Sequence, residues 1–303
     1  MSSKDLLSFE EMTTGTEYTM DNRLTQASFF SKDLVIITEK DNHGADEKLS
    51  AGSSLLVNVT DQQILYANNV YDRLYPASLT KLMTALVVLQ YGELTDSVTV
   101  SYNASHITEG GAKLCGFKEG DIISMEALLK SLLIYSGNDA AIAIADHAAG
   151  TEENFVSLMN EEAEKIGAVH SHFMNSNGLH DDNQYTTAYD IYLIFNELMK
   201  FETFRSIIGT ASYTAVYQDK DGNPIEKNFQ ATNSYVSSET PPPEGVQILG
   251  GKTGTTNKAG NCLVLLSKDA EEKEYISVIM KAPDRNTLYS QMSYLLSFTN
   301  VNE

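Results

Sequence analysis

Two β-rich stretches stand at opposite ends of a helical middle, and that order restricts the fold more than any other feature of the chain. Ser54-Leu55-Leu56-Val57-Asn58-Val59 and Gln63-Ile64-Leu65-Tyr66-Ala67 are short β-forming runs separated by Thr60-Asp61-Gln62, which reads as a hairpin. Three further strands are expected over residues 247–255, 262–267 and 275–280, followed by a helix over 286–298. Between them the period changes. Leu82, Ala85, Leu86 and Leu89 form one buried stripe on a helix over 78–90. Residues 124–135 and 139–149 are apolar and helical in pattern. Thr151, followed by Glu152 and Glu153, caps a helix to about 166, with acids where the helix dipole favours them. Thr187, with Asp190 three residues on, opens another helix to about 200. A second hairpin is expected around residues 213–217 and the turn Asp221-Gly222-Asn223-Pro224, before the rigid link Pro241-Pro242-Pro243. The pattern predicts an α+β fold: an antiparallel β-sheet flanked by terminal helices, with an all-helical subdomain inserted over roughly 78–205.

Residues 1–49 are polar and weakly periodic and read as an N-terminal extension, partly mobile, ahead of a catalytic domain over 50–303. Within the extension, Leu34-Val35-Ile36-Ile37-Thr38 reads as a strand and residues 41–47 as a loop. The 303 residues carry 41 Asp+Glu against 21 Lys+Arg, a net charge of -20. That balance argues against nucleic acid or an anionic membrane surface as a partner, because phosphate binding relies on a basic face. No apolar run is long enough to span a bilayer, and no basic-then-apolar signal segment opens the chain. Two readings follow: a cytosolic protein, or a mature form whose export signal has been removed. Cys115 and Cys262 fit either one disulfide or two separate buried thiols.

Ser78-Leu79-Thr80-Lys81 places a serine and a lysine at i and i+3 on one helix face. A serine hydroxyl is a poor nucleophile until a base takes its proton, and a lysine with a lowered pKa can be that base. Alone, the pair reads as an N-cap serine beside a surface lysine. Lys252-Thr253-Gly254 lies on an expected strand, where an interior glycine marks close approach of another backbone or a ligand, and a cation beside hydroxyls suits a carboxylate. Ser-x-Asn occurs at Ser136-Gly137-Asn138 and at Ser101-Tyr102-Asn103. The first links two apolar helices and is the one selected. Ser-x-x-Lys, Ser-x-Asn and Lys-Thr-Gly in this order form a known catalytic set.

On these segments the chain resembles the serine D-alanyl-D-alanine carboxypeptidases, the low-molecular-mass penicillin-binding proteins. Residues 75–84 are similar to their nucleophile segment and Ser136-Gly137-Asn138-Asp139-Ala140 to their second motif. Asn177-Gly178-Leu179-His180 with Thr186-Thr187-Ala188-Tyr189-Asp190 is similar to another signature, and residues 251–256 with Ala259-Gly260 to the third motif. The resemblance covers roughly residues 50–300.

What it implies is hydrolysis of the terminal D-Ala-D-Ala bond of peptidoglycan stem peptides, outside the cytoplasmic membrane, with β-lactams as covalent inhibitors. Ser78 is then the nucleophile, Lys81 its base and Ser136 the proton donor to the leaving amine. The backbone N–H groups of Ser78 and Thr255 form the oxyanion hole. Asn138 holds the substrate amide, and Lys252, Thr253 and Thr255 hold its carboxylate. No cofactor or metal is expected: His170, His172, His180, Asp181 and Asp182 lack the spacing of a helical zinc site. Three departures stand out. The chain stops soon after the last helix, without room for the C-terminal β domain and membrane anchor of many members. The N-terminal extension has no counterpart. Leu288 occupies the place where many members put a carboxylate-binding arginine, and Arg285 is the nearest substitute. The rival readings are a class A β-lactamase, against which stands the placing of Glu161, Glu162 and Glu164 inside a helix, and a penicillin-sensing or wall-binding domain that acylates without turnover.

Overall fold

The computed structural model describes residues 35–300 apart from 39, 40 and 45. The expected character of residues 1–34, and Leu34 of the expected first strand, lie outside the described residues. Residues 35–38 form no ladder. They run as an extended strap held by tyrosine hydroxyls: the Val35 N–H donates to Tyr192 Oη, Tyr189 Oη donates to the Val35 carbonyl and Tyr71 Oη to that of Ile37. Val35 and Ile37 face inward and Ile36 outward, so the alternation of a strand is kept while side chains replace the partner strand.

The hairpin β1 (Ser53–Asn58) and β2 (Gln63–Asn68) opens the domain. A single 3₁₀ turn, Ala77–Leu79, leads into α1 (Thr80–Tyr91). Then come β3 (Ser97–Thr99), α2 (Tyr102–Ser105), β4 (Ile122–Ser124) and α3 (Met125–Lys130). The helices α4 (Asn138–Ala149), α5 (Glu152–Lys165), α6 (Ala188–Leu198) and α7 (Glu202–Ile208) complete the middle. A hairpin of β5 (Ser212–Gln218) and β6 (Pro224–Gln230) precedes β7 (Gln247–Thr256), β8 (Gly260–Lys268), β9 (Glu274–Ala282) and α8 (Arg285–Ser297).

The fold is α+β, with an antiparallel sheet in the order β2-β1-β9-β8-β7. One face packs on α8 through Leu288, Met292, Leu295 and Leu296, and the other on α6, which contacts β1, β8 and β9. Every residue of β1 is buried. A strand covered on both faces reads as a continuous apolar run, which is why Leu55-Leu56-Val57 shows no alternation. The inserted subdomain, expected to be all helical, also contributes β3 and β4 to a small sheet that the later hairpin β5–β6 completes, in the order β3-β4-β5-β6. The three-residue strands β3 and β4 are too short to register as periodic patterns. Among the described residues no helix is long and apolar enough to cross a membrane.

Two helix starts follow their sequence signals: Thr151 Oγ1 accepts from the Asn154 N–H and Thr187 Oγ1 from that of Asp190. The structure adds a third cap, the Asp284 carboxylate, which accepts from the Thr287 N–H at the start of α8. The expected single helix over 124–135 is instead β4, then α3, then a π-helical turn over Ser131–Tyr135. The wider turn ends with Ser136 in the left-handed region, at φ 71 and ψ 35. Such π-turns and left-handed non-glycine residues gather at functional sites.

Candidate active site

The turn that carries Ser78 is strained where it must reverse. Ala77, a residue with a Cβ, sits at φ 47, and Ser78 follows it at the entrance to α1. Two glycines let other chain segments close on this turn. A Cβ on Gly178 would stand 2.0 Å from the Ala77 carbonyl oxygen, and one on Gly254 would stand 3.0 Å from both the Ser78 nitrogen and the Pro76 oxygen. Only a missing side chain allows β7 and the 175–180 loop to approach so closely. Because β7 is the outer strand of its sheet, its free edge meets Ser78.

Lys81 lies one turn into the helix and is fully buried. Its Nζ donates to Ser78 Oγ at 3.0 Å, to Asn138 Oδ1 at 2.6 Å and to the carbonyl of Asn177. Burial lowers its pKa to about 7, outweighing Cys115 and Asp139, which raise it, while Lys113 lowers it further. Near neutral pH a large fraction of this amine is therefore unprotonated and able to accept the Ser78 proton.

The second lysine is built the same way from β7. Lys252 is 1% exposed, and its Nζ donates to Ser136 Oγ at 2.7 Å. Its pKa lies well below the ordinary value, through burial first and then the charges of Lys81 and Lys113. The left-handed backbone of Ser136 aims its hydroxyl at Lys252, while Asn138, two residues on, reaches Lys81. Ser136 and Asn138 therefore divide the two amines between them. Asp139 fastens this motif to the preceding loop by accepting the N–H groups of Cys115, Gly116 and Phe117. Cys115 and Cys262 are both free and buried, so no disulfide joins them.

Ser78, Ser136, Thr253 and Thr255 face a cleft of ≈ 200 Å³ that Arg285 and Lys113 also line. Thr253 Oγ1 is 2.6 Å from Thr232 Oγ1, and Thr255 Oγ1 donates to Asn261 Oδ1 at 3.1 Å. Arg285, the first residue of α8, is fixed through Nη2 to Ser234 Oγ at 2.6 Å, the Thr232 carbonyl at 3.3 Å and Glu239 Oε2 at 3.2 Å. Leu288 also lines the cleft and is buried. All seven residues selected in the sequence thus converge: Ser78, Lys81, Ser136, Asn138, Lys252, Thr253 and Thr255. Sequence reasoning placed Asn177 in a family-like segment without giving it a role in the site, where it contributes a backbone carbonyl, and it did not single out Thr232 and Lys113, which lie outside the motifs. Glu161, Glu162 and Glu164 lie inside α5, and Glu162 accepts a bond from Tyr91 at 2.5 Å.

Comparison with known proteins agrees with this geometry. The family model described as D-alanyl-D-alanine carboxypeptidase matches residues 39–284. The chain is similar to the D-alanyl-D-alanine carboxypeptidase DacF of Bacillus subtilis, 31% identical over 82% of this chain and 61% of the relative. It is likewise similar to DacD of Escherichia coli, 33% identical over 84% of this chain and 64% of the relative. The chain therefore spans less than two thirds of the length of these curated relatives. A crystal structure of a Streptomyces DD-transpeptidase superposes with a TM-score of 0.78 at 26% identity, over 85% of this chain and 100% of that one. With the Ser78 turn and the two buried lysines all inside the matched residues 39–284, this chain belongs to the D-alanyl-D-alanine carboxypeptidase family.

Proposed function

We propose that this chain hydrolyses the terminal D-Ala-D-Ala bond of peptidoglycan stem peptides through an acyl-enzyme on Ser78, outside the cytoplasmic membrane, and that β-lactams acylate the same serine. The observation that carries the reading is a buried amine with a pKa of about 7, 3.0 Å from a serine hydroxyl in a cleft. Lys81 takes the Ser78 proton as Oγ attacks the penultimate carbonyl carbon. The N–H groups of Ser78 and Thr255 meet the oxyanion, a role that fits the close approach of β7 at Gly254. Ser136, donor-bonded by Lys252, returns a proton to the departing amine, and Asn138 holds the acyl-side amide. Lys252, Thr253, Thr255 and Arg285 receive the terminal carboxylate. Water then takes the acyl group from Ser78.

Release of D-alanine from a diacetyl-L-Lys-D-Ala-D-Ala peptide tests the reading. Turnover by the wild type and none by Ser78→Ala is expected; turnover surviving in Ser78→Ala refutes it. The acids available for a lactamase-type deacylation are held in α5, so nitrocefin is expected to acylate and stall. The description of the Streptomyces neighbour as a DD-transpeptidase favours one second reading, in which an amine takes the acyl group. A D-amino acid added to the assay separates the two by its product.

A further inference from the structure

Charge is the odd feature of this cleft: in a chain of net charge -20, none of the described residues lining it is acidic, while Lys113 and Arg285 both line it. Lys113 stands out further. Several surface lysines find carboxylates, as Lys130 does Glu126 and Lys200 does Glu197, and the buried Lys81 and Lys252 find hydrogen-bond acceptors instead. Among the described residues no carboxylate pairs with Lys113. Its Nζ instead sits 4.2 Å from the centroid of the Tyr135 ring. Its backbone is tied to the second motif, because the Asn138 N–H donates to the Lys113 carbonyl at 2.8 Å. That bond fixes it on the wall of Ser136 and Asn138, while Arg285 opens α8 beside the β7 wall.

Two cations lining one small cleft repel each other, and Arg285 indeed pushes the Lys113 pKa down, after burial. All the hydrogen bonds of Arg285 use Nη2, so Nη1 and Nε are without protein partners among the described residues. An anion between the two walls relieves the repulsion and completes both groups. Leu288, at the place of the missing arginine, offers no charge to such an anion.

We propose that Lys113 is a substrate-binding residue that, facing Arg285, closes on the terminal carboxylate of the leaving residue from the Ser136–Asn138 wall. The proposal rests on the D-Ala-D-Ala reading above and adds to it a residue outside the three motifs. The cleft then grips its substrate from both sides, and the pair Lys113/Arg285 replaces the single arginine.

The test compares a D-Ala-D-Ala peptide with its C-terminal amide, and benzylpenicillin with its methyl ester, on wild type, Lys113→Met and Lys113→Arg. With each variant compared at the plateau of its own pH profile, where Lys81 is neutral, Lys113→Met is expected to lower kcat/KM and the acylation rate roughly 10-fold or more for the free acids, the scale of a hydrogen bond to a charged group, and to leave the amide and the ester within about twofold. Lys113→Arg is expected to recover most of the loss. Equal losses on acid and neutral ligands, or no loss on either, overturn the proposal while leaving the hydrolase reading intact. A wild type that neither turns over the peptide nor takes up penicillin overturns both.

Discussion

Gly178→Ala is the substitution that bears most directly on how the nucleophile turn is held. Gly178 has φ +85, and an added Cβ would stand 2.0 Å from the Ala77 oxygen, 2.5 Å from the Ala77 carbon and 3.0 Å from the Ser78 nitrogen. All three are backbone atoms, so no side chain can swing aside. Reaching even the 3.0 Å limit of real contacts means moving the 77–78 turn, or the loop carrying the Asn177 carbonyl, by about 1 Å. A misplacement of ~1 Å at reacting groups costs roughly 100-fold in rate, or ~2.7 kcal/mol of barrier. Gly222→Ala is the control, since its φ of +84 is nearly the same but nothing lies within 4 Å. Both variants carry about 1–2 kcal/mol of left-handed strain; only one pushes on the nucleophile. Stopped-flow acylation by a fluorescent penicillin, with thermal melts alongside, reads both effects. Acylation near the wild-type rate in Gly178→Ala would refute the steric reasoning.

Other expectations follow from single contacts. Acylation requires neutral Lys81, so its rate is expected to rise with pH through about 7 and then level off; a flat profile from pH 5 to 9 would exclude Lys81 as the base. Lys113→Met removes a charge that lowers the Lys81 pKa, so that limb should move to higher pH; an unmoved limb would separate the two groups. Between about 7 and the ordinary 10.5 the unfolded chain holds a Lys81 proton that the folded one lacks, so this group makes stability rise with pH across that window, measurable by urea titration against Lys81→Met. Asp139→Asn weakens the acceptor for three loop N–H groups and should cost about 1–3 kcal/mol. A calorimetric melt unchanged within a degree would count against that role. Arg285→Ala is expected to lower kcat/KM for the free acid and spare the amide, whereas equal losses would make Arg285 structural.

Much of this arrangement is legible in the residues because side-chain chemistry and spacing coincide. Ser78 and Lys81 share a helix face, and Lys252-Thr253-Gly254 carries both the cation and the gap that lets β7 close on Ser78. The strands around the core were visible for the same reason, since burial on both faces concentrates apolar residues in short runs. What escaped depends on backbone geometry or on long-range pairing. The π-turn over Ser131–Tyr135 has the same apolar pattern as an α-helix, and β4 meets β5 through the single partner pair Ile122 and Gln218. The Asn177 carbonyl is a group every residue owns, so no side-chain pattern marks it. Lys113 is one exposed lysine in a loop until the fold brings it opposite Arg285.

The central claim is that one serine, activated by one buried amine, forms a covalent acyl-enzyme. Mass spectrometry of the protein after exposure to benzylpenicillin, with digestion to locate the adduct, tests it most directly. The expected result is one stoichiometric adduct on the peptide containing Ser78, absent from Ser78→Ala and formed far more slowly by Lys81→Ala. An adduct that persists in Ser78→Ala, or maps to another residue, or fails to form on the wild type, would contradict the account.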